Sequence, residues 1–201
     1  ASVVAAADSF PGGDWAPLLR LWPLYALLIS CTIGMFTPAI QGPFLLADSG
    51  MHSAMEAGGI VSASSIVAIF AAAFYGSIRR IFGLTSVLAL IMASFGAGIF
   101  LMAVLPGAAK IVGSAIVGIG AGCAEATIAS AILLKSPDRV HGRALGLMVS
   151  ALFLGQWLNP WVFAPVRGAI GLYGAFVCVG AAFAVLAAAL VAWRIWRGER
   201  L

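Results

Sequence analysis

The sequence predicts an all-α membrane protein of six transmembrane helices, and three observations carry that expectation. Of its 201 residues, 63% are hydrophobic and only 9% are charged, against about 25% charged in an ordinary soluble domain. The apolar residues fall into six runs, each near the roughly 20 residues needed to cross a hydrocarbon core of about 30 Å. Turn-forming residues stand in short clusters between the runs, and links this tight make neighbouring helices antiparallel.

The runs follow one another with little between them. Residues 1–17 contain Asp8, Pro11-Gly12-Gly13, Asp14 and Pro17 and are less apolar, so they are expected to form a cytoplasmic linker ahead of a six-helix domain over residues 18–201. The first run, Leu21 to Leu46, stops at Asp48-Ser49-Gly50, and the second, Met55 to Ile78, stops before Gly83. The third, Leu84 to Leu105, is closed by Pro106-Gly107, and the fourth, Ala108 to Leu134, by Ser136-Pro137-Asp138. The fifth, Ala144 to Pro165, is separated from the sixth, Ile170 to Trp193, by a turn expected at Gly168.

Basic residues give this stack an orientation, because Lys and Arg concentrate in cytoplasmic loops. One side carries Arg20, Arg79, Arg80, Lys135, Arg139, Arg143, Arg194, Arg197 and Arg200, and the other only Lys110 and Arg167. Both termini are therefore expected to be cytoplasmic. The net charge of +4 reflects this asymmetry, since no basic patch is interleaved with stacking aromatics as nucleic-acid binding would require. The chain neither begins with Met nor carries a signal-peptide pattern, and it is expected to be a piece of a longer protein.

Cys31, Cys123 and Cys178 lie singly within apolar runs without CxxC spacing, which suits small packing residues. His52 and His141 fall in expected loops. An intramembrane enzyme needs a buried nucleophile beside a histidine or a cluster of carboxylates. The runs offer neither, so the chain is not expected to be an enzyme, and no cofactor or metal is expected.

Polar residues inside lipid mark interior faces. In the first run Ser30, Gly34, Thr37 and Gln41 share one helical stripe, and in the fourth Gly118, Gly122, Glu125 and Ala129 do so. Gly58, Ser62, Ser65, Ala72 and Gly76 align in the second, and Gln156 and Asn159 share a side in the fifth. The third and sixth are plainer. Runs one, two, four and five are expected to face an interior, and three and six to face lipid. Pro23, Pro38, Pro43 and Pro160 are expected to interrupt helices, as befits a moving pathway.

Several of these residues are similar to those of a known family. Gly146 with Leu154-Gly155-Gln156-Trp157-Leu158-Asn159-Pro160 resembles the eleventh helix of major facilitator superfamily transporters, in particular the LGQ-x-x-x-P pattern of the drug/proton antiporters. Gly118-Ile119-Gly120-Ala121-Gly122 resembles the glycine-rich start of the family's tenth helix, and Pro137 to Gly146 stands where the family has a loop with Pro and Gly. Gly76 to Gly83 matches the glycines of the family's GxxxD(R/K)xG loop, with Arg80 in the acidic position.

The resemblance implies that the chain is one half, helices seven to twelve, of a twelve-helix secondary transporter of a bacterial inner membrane. The substrate site would lie at the midplane between two halves that rock, so the partner would be a missing N-terminal half or a second six-helix chain. Glu125 would contribute proton coupling or bind a cationic small molecule, because desolvation penalises the charged form of a carboxyl group and favours proton exchange as access switches. Gln41, Thr37, Gln156 and Asn159 would contact substrate, and Trp157 would stack on an aromatic one. The competing reading of these polar residues is ordinary interhelical hydrogen bonding, and that of the whole chain is a non-transporting or degenerate six-span subunit.

Overall fold

The computed structural model describes residues 15–51 and 53–196, and every regular element among them is helical. Most of the expected linker, together with His52, Arg197 and Arg200, lies outside the described residues. The chain forms α1 (Trp15–Leu19), α2 (Trp22–Ile40), α3 (Gly42–Asp48), α4 (Ala54–Val104), α5 (Lys110–Lys135) and α6 (His141–Trp196), with single 3-10 turns at Gly107–Ala109 and Asp138–Val140. Four of these helices are long and apolar enough to cross a membrane. Helices suit that environment because they satisfy their own backbone groups where no water is present to do so.

A straight helix of 51 residues, the length of α4, would extend about 76 Å, more than twice a hydrocarbon core. α4 instead breaks at Gly83, with φ 70° and ψ 175°, a region open essentially to glycine alone. Contacts to α5 show what the break does. Gly118 and Gly122 of α5 press on the carbonyls of Ser64 and Ala68, so residues 54–82 run parallel to α5. Gly98 meets Gly113 and Val117, and Gly120 meets Ile91, so residues 84–104 run antiparallel to it. The chain reverses at Gly83, giving α4 two antiparallel arms.

α6 behaves alike at Gly171, with φ 77° and ψ 172°. The Phe163 and Phe176 rings, on opposite sides of that turn, lie 5.4 Å apart edge to face. The 141–170 arm runs parallel to α2, since Tyr25 donates to the Ala144 carbonyl and Gly155 packs on Ile29. The 172–196 arm runs antiparallel to 84–104, through Gly180 against Phe100 and Arg194 against Ser86. The reversal falls at Gly171 and not at Gly168, the glycine singled out from the sequence.

Two further expectations are corrected. The 84–104 arm is not chiefly a lipid-facing helix: Val87, Ile91, Met92, Phe95, Ile99 and Met102 are all 0% exposed and form the centre of the core, and only the stripe through Leu90, Phe100 and Val104 is exposed. A run with few polar residues suits protein interior as well as lipid, and its composition does not separate the two. Nor do all four prolines interrupt helices. Pro23 and Pro43 sit in the first turns of α2 and α3, where no backbone donor is needed, and Pro38 and Pro160 lie inside helices.

The glycine contacts give a stability test. A Cβ at Gly98 would stand 2.6 Å from the Gly113 carbonyl oxygen, whereas one at Gly58 would meet nothing within 4 Å. Gly98→Val is expected to destabilise by about 1–3 kcal/mol or more, the usual cost of overpacking, and Gly58→Ala to stay within about 0.5 kcal/mol of the parent. Thermal unfolding in detergent, followed by circular dichroism, checks both.

Candidate functional site

Two polar features occupy the helical body, and they differ in kind. The first is a sealed network between α2 and the 141–170 arm. Gln41 Nε2 donates to Asn159 Oδ1 at 3.0 Å, and Asn159 Nδ2 donates to the Ile33 carbonyl at 2.8 Å and to Thr37 Oγ1 at 3.2 Å. The Thr37 hydroxyl donates in turn to the Ile33 carbonyl at 2.7 Å. Asn159 and Thr37 are wholly buried and Gln41 nearly so. Gln41 occupies the joint between α2 and α3, where Pro43 cannot donate to the Ala39 carbonyl, so its side chain projects from an irregular turn.

The second feature is open. Glu125 on α5 is exposed and lines a cleft of about 420 Å³ with Met35 and Phe36 of α2 and Ser64, Ser65 and Ala72 of the first α4 arm. It follows Gly118 and Gly122 on the same stripe, one turn beyond the point where α5 and that arm touch most closely. No hydrogen bond or ion pair holds its carboxylate among the described residues. The cleft therefore presents one acid, two hydroxyls and an apolar wall.

The six residues singled out from the sequence thus fall into three places. Gln41, Thr37 and Asn159 are brought together and bonded to one another, in the interhelical arrangement that was the competing reading, and a ligand reaches them only if α2 and α6 separate. Glu125 stands alone in its cleft. Gln156 is half-buried beside the network, while Trp157 is 60% exposed and stacks obliquely on Trp161, with centroids 5.6 Å apart, on the outer face of α6.

Other polar groups had drawn no functional reading. Arg79 Nη1 donates to Tyr75 Oη at 3.2 Å and to Ser130 Oγ at 2.9 Å, tying the first α4 arm to α5 beyond the Glu125 cleft. The i, i+4 spacing of Tyr75 and Arg79 is the signal that could have found it. Lys110, assigned to topology by its sequence position, is buried, and its Nζ donates to the Met102 carbonyl at 3.1 Å, capping the C-terminal end of the second arm. His141 Nε2 lies 2.9 Å from the Ser136 carbonyl and fastens the turn before α6.

Removing the shared member of the network tests its worth. Asn159→Leu strands the Gln41 amide in an apolar setting and is expected to cost about 1–3 kcal/mol. The coupling between Gln41→Leu and Asn159→Leu is expected near 0.6 kcal/mol, the average for hydrogen bonds between membrane helices. A double-mutant cycle on unfolding free energies measures it.

No protein-family model matches the chain, and no curated protein matches it. The functional reading rests on the residues and on their arrangement.

Proposed function

We propose that the chain is one half of an alternating-access secondary transporter, a six-span bundle in which Glu125 binds a cationic small molecule or exchanges a coupling proton. The observation that carries this reading is the exposed, unpaired Glu125 in a cleft between α2, the first α4 arm and α5. A carboxylate at membrane depth is costly unless it has a partner or a task, and this one has no partner among the described residues.

The helical arms support the same reading. α4 and α6 double back, so with α2 and α5 six arms alternate in direction, and Arg20, Arg79, Arg80, Lys135, Arg139, Arg143 and Arg194 gather at one end, the end expected in the cytoplasm by the positive-inside rule. Gly58 and Gly76 on the first α4 arm and Gly142 and Gly146 on α6 look outward with nothing within 4 Å. Faces of this kind let another helix approach closely, as a second transporter half would. In this reading the Gln41–Asn159 network holds α2 against α6 as a unit, while the Glu125 cleft meets substrate.

The test is transport by the full-length protein in proteoliposomes, with an imposed pH gradient and a lipophilic dye cation as probe. Glu125→Gln is expected to cut gradient-driven uptake at least tenfold while leaving the helical content unchanged. Glu125→Asp is expected to retain part of it. Equal uptake by the parent and Glu125→Gln at every pH overturns the reading.

A further inference from the structure

On the opposite side of the bundle, the 84–104 and 172–196 arms leave a furrow along their seam that plays no part in the transport reading. It consists of a cavity of about 630 Å³ near the basic end and one of about 390 Å³ further along, which share Ala93 and Ala187 as walls. Small residues make it. Gly96 and Gly180 bring the two backbones together, and the alanines beside them are too short to fill the trough.

The furrow is amphipathic along its length. Its upper end holds Thr85, Ser86 and Arg194, with Arg194 Nη1 donating to Ser86 Oγ, and its remaining lining is aliphatic or aromatic down to Phe100. No carboxylate lines either cavity. A guanidinium has five donors and no acceptor, and among the described residues Arg194 gives one of them to a hydroxyl, which leaves most of them available to an anion. The exposed Trp193 and Trp196, with rings 5.7 Å apart, mark this end as the level where bilayer headgroups meet hydrocarbon. From Ser86 to Phe100 the helix rises about 21 Å at 1.5 Å per residue, more than the roughly 15 Å that is half of a hydrocarbon core.

We propose that this furrow is a binding site for one phospholipid with an anionic headgroup, whose phosphate is held by Arg194 and Ser86 and whose acyl chain lies along Ala89, Ala93 and Ala187. An apolar channel the depth of one leaflet, closed at the interface by a cation, matches an anionic lipid in both shape and charge. A zwitterionic lipid fits the channel equally but gains less from Arg194, because its own ammonium offsets the phosphate. This site does not depend on the transport reading and would persist if that reading failed.

The purified full-length protein, stripped of lipid in detergent, is incubated with phosphatidylglycerol or with phosphatidylcholine of the same acyl chains, and retained lipid is counted by native mass spectrometry. One phosphatidylglycerol is expected to be retained, with about fivefold preference over phosphatidylcholine, the discrimination expected of one basic side chain near an anionic lipid. Arg194→Gln is expected to erase the preference, Arg194→Lys to keep part of it, and Ala187→Leu to lower retention of both lipids by filling the trough. Equal retention of the two lipids by the parent protein overturns the proposal without recourse to any variant. An unchanged preference in a folded Arg194→Gln protein also overturns it, as does displacement of phosphatidylglycerol by equimolar inorganic phosphate, which would show that the site reads the anion alone.

Discussion

The arrangement depends on how closely α5 is allowed to approach the two arms of α4. In a bilayer there is little hydrophobic gain when helices meet, so association rests on packing and on hydrogen bonds between helices. α5 meets that constraint with glycine on two of its sides. Gly118 and Gly122 take the first arm almost backbone to backbone, while Gly113 and Gly120 take the second. Ser114 adds a hydrogen bond to the Ile60 carbonyl on the first side. With α5 seated between them the arms of α4 are set, and the 84–104 arm becomes the central helix on which Phe183 and the rest of α6 close.

Polar groups are then distributed by what they can bond. Those that find partners across an interface are buried and fully used, as with Gln41, Thr37 and Asn159, and no buried side-chain nitrogen or oxygen among the described residues lacks a hydrogen bond. Such a network is valuable only when complete, since a stranded amide in a low-dielectric setting is costly. Glu125 is the exception, and it sits where the packing opens. Beyond it, Tyr75, Arg79 and Ser130 close the same pair of helices with a cation, so the acid and the base on this seam are held apart.

Much of the helical plan was legible from residue order. Six apolar runs separated by turn residues correspond to six helical arms, because hydropathy and chain length act locally and need no knowledge of partners. Gly83 was identifiable because it stands by itself at the junction of two runs. The other hairpin offered Gly168, Gly171 and Gly174 within one short stretch, and residue order alone does not say which of them takes the positive φ that Gly171 adopts. The role of Asn159 was legible as polar but not as sealed, since its partner Gln41 lies 118 positions away. For the same reason the third run was placed only in part, with its buried stripe missed: leucine and methionine suit a protein core and a lipid face equally. Arg194 seemed a topological charge until its neighbour across the seam, Ser86, was known.

The turns at Gly83 and Gly171 bear on how such a chain enters a bilayer. A single glycine leaves no slack between two arms, so neither can cross the membrane and wait there while the other is still being synthesised. The arms of α6 have to partition together, as a hairpin whose leading tip carries the turn and, three to four residues before it, Arg167. That guanidinium ends 5.4 Å from the centre of the Phe44 ring in α3, so the tip of the last hairpin is fastened to the N-terminal helices. The tightness of two turns thus couples the arms in pairs, and each pair moves through the bilayer as one unit.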